Sequence, residues 1–281
     1  MEPLVDGLDA LVALVKEAGN LAVLTGAGIS TDSGIPDYRD VAGEWKRIRP
    51  VEHNDFIASA ATRQRYWARS MIGWSIMGTA RPNAGHLSLA SLERTGVVST
   101  LITQNVDGLH QAAGSSRVID LHGRIDQVIC LGCAANHPRR TVQGWLEAEN
   151  PDFFVAEAKT APDGDADLVG ARYDAFRVPS CPDCRGVLKP DVVFFGDSVP
   201  KPRVAQAMAA VEAASALLVV GSSLMVYSGF RFCESARRSG KPIAAINLGR
   251  TRADDLLAVK IAAPCGDVLQ RLVERLECAF R

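Results

Sequence analysis

The sequence has no excess of either charge. Its 31 Lys and Arg stand against 32 Asp and Glu, for a net charge of −1, which removes any electrostatic argument for a nucleic-acid or membrane-surface partner. Long hydrophobic runs are also missing: stretches such as Ala216 to Val220 are far too short to span a bilayer. Met1 to Asp6 carries no basic n-region and no Arg-rich, acid-poor character. No signal or transit peptide is therefore expected, and the expected location is the cytoplasm. Internal repeats, low-complexity tracts and long charge blocks are absent, which excludes a solenoid or a tail-like disordered segment. What remains is a chain of 281 residues, 47% hydrophobic and 22% charged, the size of one large domain or of a domain carrying an inserted module.

Cysteine is the informative surplus. Four of the seven form two pairs, Cys130-x-x-Cys133 and Cys181-x-x-Cys184, while Cys233, Cys265 and Cys278 stand apart. In a cytosolic chain such spacing reads as a metal site plus free thiols rather than a disulfide framework. Two thiolate knuckles suit tetrahedral zinc, and four cysteines leave no open position, so the expected metal is structural. The competing reading is a redox pair. The 134–180 interval includes the turn-rich stretch from Ala161 to Asp167 and must fold back on itself, which predicts a small inserted module.

Around this module, buried strands alternate with helices. Leu21–Leu24, Val97–Ile102, Val118–Leu121, Leu217–Val220 and Ile243–Ile246 read as strands, as does the start of Leu188–Asp197. Helical spacing covers 8–18, 54–77, a segment from Pro82 to Leu92, 201–214, one ending at Arg238, and 268–277. The pattern predicts an α/β fold: a doubly wound parallel, Rossmann-like sheet with a smaller inserted zinc-ribbon and helical module. The expected division is 1–45, 80–126 and 188–281 for the sheet domain, with the helical stretch 46–79 and the zinc stretch 127–187 together forming the small domain.

Several strands end in polar residues, and in open parallel sheets ligands bind beyond the carboxyl ends of strands. One strand runs into Thr103-Gln104-Asn105-Val106-Asp107 and another delivers His122-Gly123. A third enters Thr25-Gly26-Ala27-Gly28-Ile29-Ser30-Thr31, whose glycines would let backbone approach a pyrophosphate. A tight turn with no ligand is the alternative there. The third glycine of the dehydrogenase fingerprint is replaced by Thr31, and no ribose-holding acid follows at the end of a second strand, so a dehydrogenase is excluded. Asp37 and Arg39 sit in a Gly- and Pro-containing loop that could close over phosphates; a surface salt bridge is the plainer reading. Tyr66 and Arg69 share a helix face and could bind a carboxylate, although an arginine packed on an aromatic is the commoner outcome.

Taken together, these motifs resemble the sirtuins, NAD-dependent protein-lysine deacylases. The resemblance rests on Gly26-Ala27-Gly28-Ile29-Ser30, Gly34-Ile35-Pro36-Asp37-Tyr38-Arg39, Thr103-Gln104-Asn105-Val106-Asp107, Leu121-His122-Gly123, both cysteine pairs, Phe194-Phe195-Gly196-Asp197, Gly221-Ser222-Ser223-Leu224 and Asn247-Leu248-Gly249. Finer details resemble the class II branch: Arg65-Tyr66-Trp67-Ala68-Arg69, Ala161-Pro162-Asp163-Gly164-Asp165 and Val226-Tyr227-Ser228-Gly229. The resemblance implies that NAD is consumed as a co-substrate: nicotinamide leaves, the acyl group passes from lysine to ADP-ribose, and His122 serves as general base on a ribose hydroxyl. It implies NAD contacts from Gly26, Ala27, Gly28, Asp37, Tyr38, Arg39, Gln104, Asn105, Asp107, Gly221, Ser222, Ser223, Asn247, Leu248, Gly249 and Cys265, with Asn105 and Asp107 also catalytic. It implies strand-like binding of an acyl-lysine peptide or protein by Val193, Phe194, Phe195 and Gly196 on one side and Leu224 to Tyr227 on the other, and an acidic-acyl pocket at Tyr66 and Arg69. Mono-ADP-ribosyl transfer from the same NAD site, or a non-catalytic NAD or ADP-ribose sensor, are the alternatives.

Overall fold

A computed structural model describes residues 2–46, 50–153, 158–160, 166–168 and 172–278. The stretch Ala161-Pro162-Asp163-Gly164-Asp165 lies outside the described residues. The chain opens on helix α1 (Glu2–Ala18) and strand β1 (Leu21–Thr25), followed by α2 (His53–Ala58), α3 (Ala60–Met77), α4 (Ala84–Arg94) and β2 (Val98–Thr103). A short α5 (Leu109–Ala112) leads to β3 (Val118–Asp120), β4 (Gly123–Cys130), β5 (Asn136–Pro138) and α6 (Arg139–Glu149). The small pair β6 (Ala158–Thr160) and β7 (Ala166–Leu168) precedes β8 (Leu188–Val192). Then α7 (Lys201–Ala213), β9 (Ala216–Val220), α8 (Tyr227–Arg238), β10 (Ile243–Ile246), β11 (Val259–Ile261) and α9 (Cys265–Glu277) complete the chain.

Six strands form one parallel sheet in the order β11-β10-β9-β1-β2-β3. Every residue of β1, β9 and β10 is buried, as expected of parallel strands covered on both faces. One face packs Leu11, Leu89 and Leu269 from α1, α4 and α9 against the sheet. The other packs Ala207, Val211 and Phe232 from α7 and α8. The chain leaves β1 toward β2 and β3 on one side and returns through β9 to β11 on the other. The strand order therefore reverses between β1 and β9, and the crevice beyond their carboxyl ends is the natural ligand position.

The second sheet is antiparallel, in the order β5-β4-β8. It lies over a cluster that includes Phe56, Trp67, Val128, Val142 and Phe194. The polar-rich run after His122 hid β4, which alternates buried Ile125 and Val128 with polar neighbours. The single helix expected over 54–77 is two. Ser59 between them is extended (φ −121°, ψ 120°), and its Oγ accepts the Thr62 N–H at 3.1 Å, capping the second helix. The strand expected to run on from Leu188 ends at Val192.

Candidate functional site

A cleft of about 960 Å³ opens at the reversal point, at the upper end of the usual size for small-molecule sites. Its walls include the loop after β1 (Gly26, Ala27, Gly28), the following segment (Asp37, Tyr38, Arg39), and Gln104, Asn105 and Asp107 after β2. They also include His122, the Val193–Gly196 stretch, Gly221, Ser222, Ser223 and Leu224 after β9, Asn247, Leu248 and Gly249 after β10, and Cys265 at the start of α9. The structure thus brings these sequence-predicted positions to one concavity.

Two positions are not brought there. Neither Tyr66 nor Arg69 lines the cleft. Tyr66 is 2% exposed and packs in an aromatic cluster, with ring centroids 5.4 Å from Phe56 and 5.2 Å from Phe194. α3 packs the tyrosine against Phe194, which is itself on the cleft wall, and the acyl-carboxylate pocket at Tyr66 and Arg69 stays an expectation. The two peptide-flanking stretches border the cleft without being strands. Tyr227 already belongs to α8, and Leu224, at φ +58°, buries its side chain in the core. Asp37 pairs with Lys46 at 2.5 Å rather than with Arg39. The Arg39 guanidinium stacks 4.2 Å over the Trp45 ring and donates to the Gly43 carbonyl at 2.7 Å.

His122 sits between β3 and β4. The next residue, Gly123, has φ +85°, and a Cβ there would lie 2.0 Å from the Asp191 carbonyl oxygen. Only glycine permits that approach, which pins β4 against β8; Val193 N–H then donates to the His122 carbonyl at 2.8 Å. The imidazole Nδ1 faces the Gln104 carbonyl oxygen at 3.0 Å. A carbonyl only accepts, so Nδ1 carries the proton and the Nε2 lone pair is the basic one. Nε2 lies 2.8 Å from Ser228 Oγ. Burial lowers the His122 pKa to about 4, against the bond to Gln104, and the charges of Arg203 and Arg231 lower it further.

A polar layer fixes the other groups. Asn105 Nδ2 donates to the Gly26 carbonyl at 3.1 Å and to Ser30 Oγ at 3.0 Å. Ser30 Oγ donates to Asp107 Oδ2 at 2.7 Å, and the Leu109 N–H donates to Asp107 Oδ1 at 2.9 Å. Gln104 Nε2 donates to Ser222 Oγ at 2.8 Å, tying the loop after β2 to the loop after β9. Behind them lie two fully buried histidines, His86 and His110, with rings 4.8 Å apart. The Asn83 N–H donates to His86 Nδ1 at 3.3 Å, within a helix capping box, so the Nε2 proton of His86 faces Ser30 Oγ at 3.5 Å. His110 Nε2 meets Thr25 Oγ1 at 3.0 Å. Burial lowers the His86 pKa to about 4, opposed by Asp107, and holds His110 well below the usual range, aided by the charge on His86. Sequence reasoning missed Ser30, His86, His110 and Ser228 as parts of the site. The Pro82–His86 helix start was the one local signal that could have pointed to His86.

The four paired cysteines meet at the far end of β4 and β8. Their sulfurs all lie within 4.8 Å of one another, with Cys130–Cys184 at 3.4 Å and Cys133–Cys181 at 3.8 Å. A tetrahedron with ~2.3 Å zinc–sulfur bonds has edges of about 3.8 Å, so the set fits zinc. Each knuckle repeats one backbone geometry: the residues after the second cysteines, Ala134 and Arg185, are left-handed and donate to the carbonyls of the first, Cys130 and Cys181, at 3.0 and 2.8 Å. Four sulfur ligands leave no open position, so the metal is structural.

Residues 26–228 match the Sir2 family. The chain belongs to the Sir2 family. This Sir2-family chain is 59% identical over 260 residues to the NAD-dependent protein deacetylase of Xanthomonas campestris pv. campestris, covering 92% of this chain and 89% of that one. It is 56% identical over 273 residues to the NAD-dependent protein deacetylase of Bordetella bronchiseptica, covering 97% and 100%. Among solved structures it is similar to one described as Sir2-p53 peptide-NAD+, with a TM-score of 0.77 at 31% identity over 95% of this chain and 98% of that one. A second, described as Sir2 bound to acetylated peptide, gives 0.77 at 30% identity over 96% and 98%.

Proposed function

We propose that this Sir2-family chain is an NAD-dependent protein-lysine deacylase acting in the cytoplasm on acyl-lysine proteins or peptides. The observation that carries the reading is His122. It is the one imidazole on the cleft wall among the described residues, its tautomer is set by Gln104, and its Nε2 lone pair is directed at the cleft. The donor set fits NAD: amides at Gln104, Asn105 and Asn247, hydroxyls at Ser222 and Ser223, and the cation of Arg39 line one cleft with two glycine-containing loops. When bound, NAD supplies a glycosidic bond that breaks to release nicotinamide and a ribose that receives the acyl group.

In this reading Gly26, Ala27, Gly28, Gly221, Ser222 and Ser223 hold the diphosphate and ribose. Asn247, Leu248, Gly249 and Cys265 hold the adenosine end, and Asp37, Tyr38 and Arg39 cover them. Asn105 and Asp107, locked by Ser30, present a preorganised amide and carboxylate to the nicotinamide ribose. Such groups stabilise developing positive charge at little reorganisation cost. His122 Nε2 takes the proton of a ribose hydroxyl. The backbones of Val193–Gly196 and Leu224–Val226 flank the peptide from two sides and admit main-chain recognition. Residues 1–45, 80–126 and 188–281 are read as the NAD-binding unit, and 46–79 with 127–187 as the small one.

The test is mass spectrometry of lysine peptides carrying acetyl, long-chain, lipoyl, glutaryl and 3-hydroxy-3-methylglutaryl groups, incubated with NAD. The expected result is acyl loss matched by O-acyl-ADP-ribose, abolished in His122→Ala. NAD consumption without acyl loss from any peptide would replace this reading with ADP-ribosyl transfer.

A further inference from the structure

The base of the proposed reaction is already hydrogen-bonded. His122 Nδ1 carries its proton toward Gln104, so the contact between Nε2 and Ser228 Oγ at 2.8 Å has one sense: the serine O–H donates and the imidazole accepts. A neutral imidazole has one available lone pair, and it cannot accept from Ser228 and from a ribose hydroxyl together. The placement of Ser228 is built in. It lies in the first turn of α8, and the following residue, Gly229, lets the helix close on Gln104: a Cβ at 229 would lie 2.5 Å from Gln104 Oε1. The residue that orients Nδ1 thus also lies against the turn that brings Ser228 to Nε2.

We propose that Ser228 is a positioning residue for the base: its hydroxyl holds the Nε2 lone pair of His122, gives way to a ribose hydroxyl, and accepts from the imidazolium once the proton has moved. The inference rests on His122 being the base. In the forward step the ribose O–H bond breaks, its electron pair stays on oxygen, and an Nε2–H bond forms. In the return step Nε2–H breaks, an O–H bond forms on Ser228, and the serine's original proton passes to water in the cleft. The charged groups acting on His122 are Arg203 of α7 and Arg231 of α8, both cations that disfavour the imidazolium. A hydroxyl able to switch from donor to acceptor offsets part of that penalty.

The test is ¹⁵N NMR titration of His122 in the full chain without NAD, comparing the native protein with Ser228→Ala and Ser228→Thr. A hydroxyl that donates to the neutral imidazole and accepts from the imidazolium favours the charged ring, whose hydrogen bond is the stronger, so its loss lowers the titration midpoint by about 0.5–1 pH unit. Threonine, which keeps the hydroxyl, should restore the native midpoint, a rescue that a purely packing role would not give. A midpoint unchanged or raised in Ser228→Ala, or lowered equally in Ser228→Thr, would overturn the role of Ser228 while acyl transfer stands. Absence of acyl transfer in the native enzyme would overturn the role of His122 and this one with it.

Discussion

The six-stranded sheet and the smaller β5-β4-β8 region bury their interiors by different means. The large sheet is covered on both faces by aliphatic side chains, and β1, β9 and β10 are buried along their whole lengths. The small region has three strands over a core rich in aromatic rings. That core includes a fully buried arginine, Arg139, and ends in two cysteine knuckles. A sheet that removes this much apolar surface from water needs no further tie. A short, three-stranded sheet gains less from burial, and the sulfur tetrahedron fixes what packing does not. The difference matters at the cleft, because His122 hangs from the turn where β3 of the large sheet passes into β4 of the small one.

The largest expected effect follows from removing the metal. Structural zinc in small units contributes about 10 kcal/mol or more to folding. Chelation, or Cys181→Ser, should abolish hydrogen-exchange protection in β4, β5 and β8 while β1, β2 and β9 stay protected. Activity should be lost as well, since Gly123 pairs with Val192 and the His122 carbonyl accepts from Val193. Equal loss of protection in both sheets would mean one cooperative unit and would dissolve the comparison.

Acid should act first on the other side. His122 on the cleft wall and His86 and His110 behind its polar layer all belong to the large-sheet side, and burial lowers all three pKa values, to about 4 for His86 and His122. Between the ordinary histidine value of 6.5 and about 4, the unfolded chain binds protons that the folded chain refuses. Stability is therefore held above pH 6.5 and lost as pH falls toward 4, at about 1.4 kcal/mol per pH unit for each histidine. Urea unfolding at several pH values should show that slope, and His86→Gln should flatten it by one histidine's share. An unchanged slope in His86→Gln would show that His86 is protonated in the fold.

The same contrast explains what could be read from the sequence. Continuous apolar runs declare β1, β9 and β10, and the cysteine spacing declares the metal, because both signals are local. β4 is half-buried and carries Arg124, Asp126 and Gln127, so its alternation is masked by polar residues. The cleft's polar residues were legible as strand endings. The layer that fixes them was not, because its contacts join distant positions: Ser30 with His86, Thr25 with His110, and His122 with Ser228, 106 residues apart. For Tyr66 and Arg69 the spacing gives a shared helix face, but it does not reveal that Tyr66 turns inward to Phe194.

The smallest effect tests whether the small region's buried charge stabilises it. Arg139 is fully buried, with its guanidinium 5.5 Å from the Trp67 ring and 5.1 Å from the Trp74 ring. It donates to Gln143 Oε1 at 2.8 Å and to the Ser70 carbonyl at 3.1 Å, while its Nε is buried without a hydrogen-bond partner among the described residues. Burial lowers its pKa to about 10. The cost of desolvating that charge opposes the gain from stacking and donation, and a methionine of similar length would keep the contact with both rings. Arg139→Met should therefore change unfolding free energy by no more than about 1 kcal/mol in the zinc-loaded protein. A loss of about 3 kcal/mol or more would show that the arginine's hydrogen bonds to α3 hold the small region together alongside the metal.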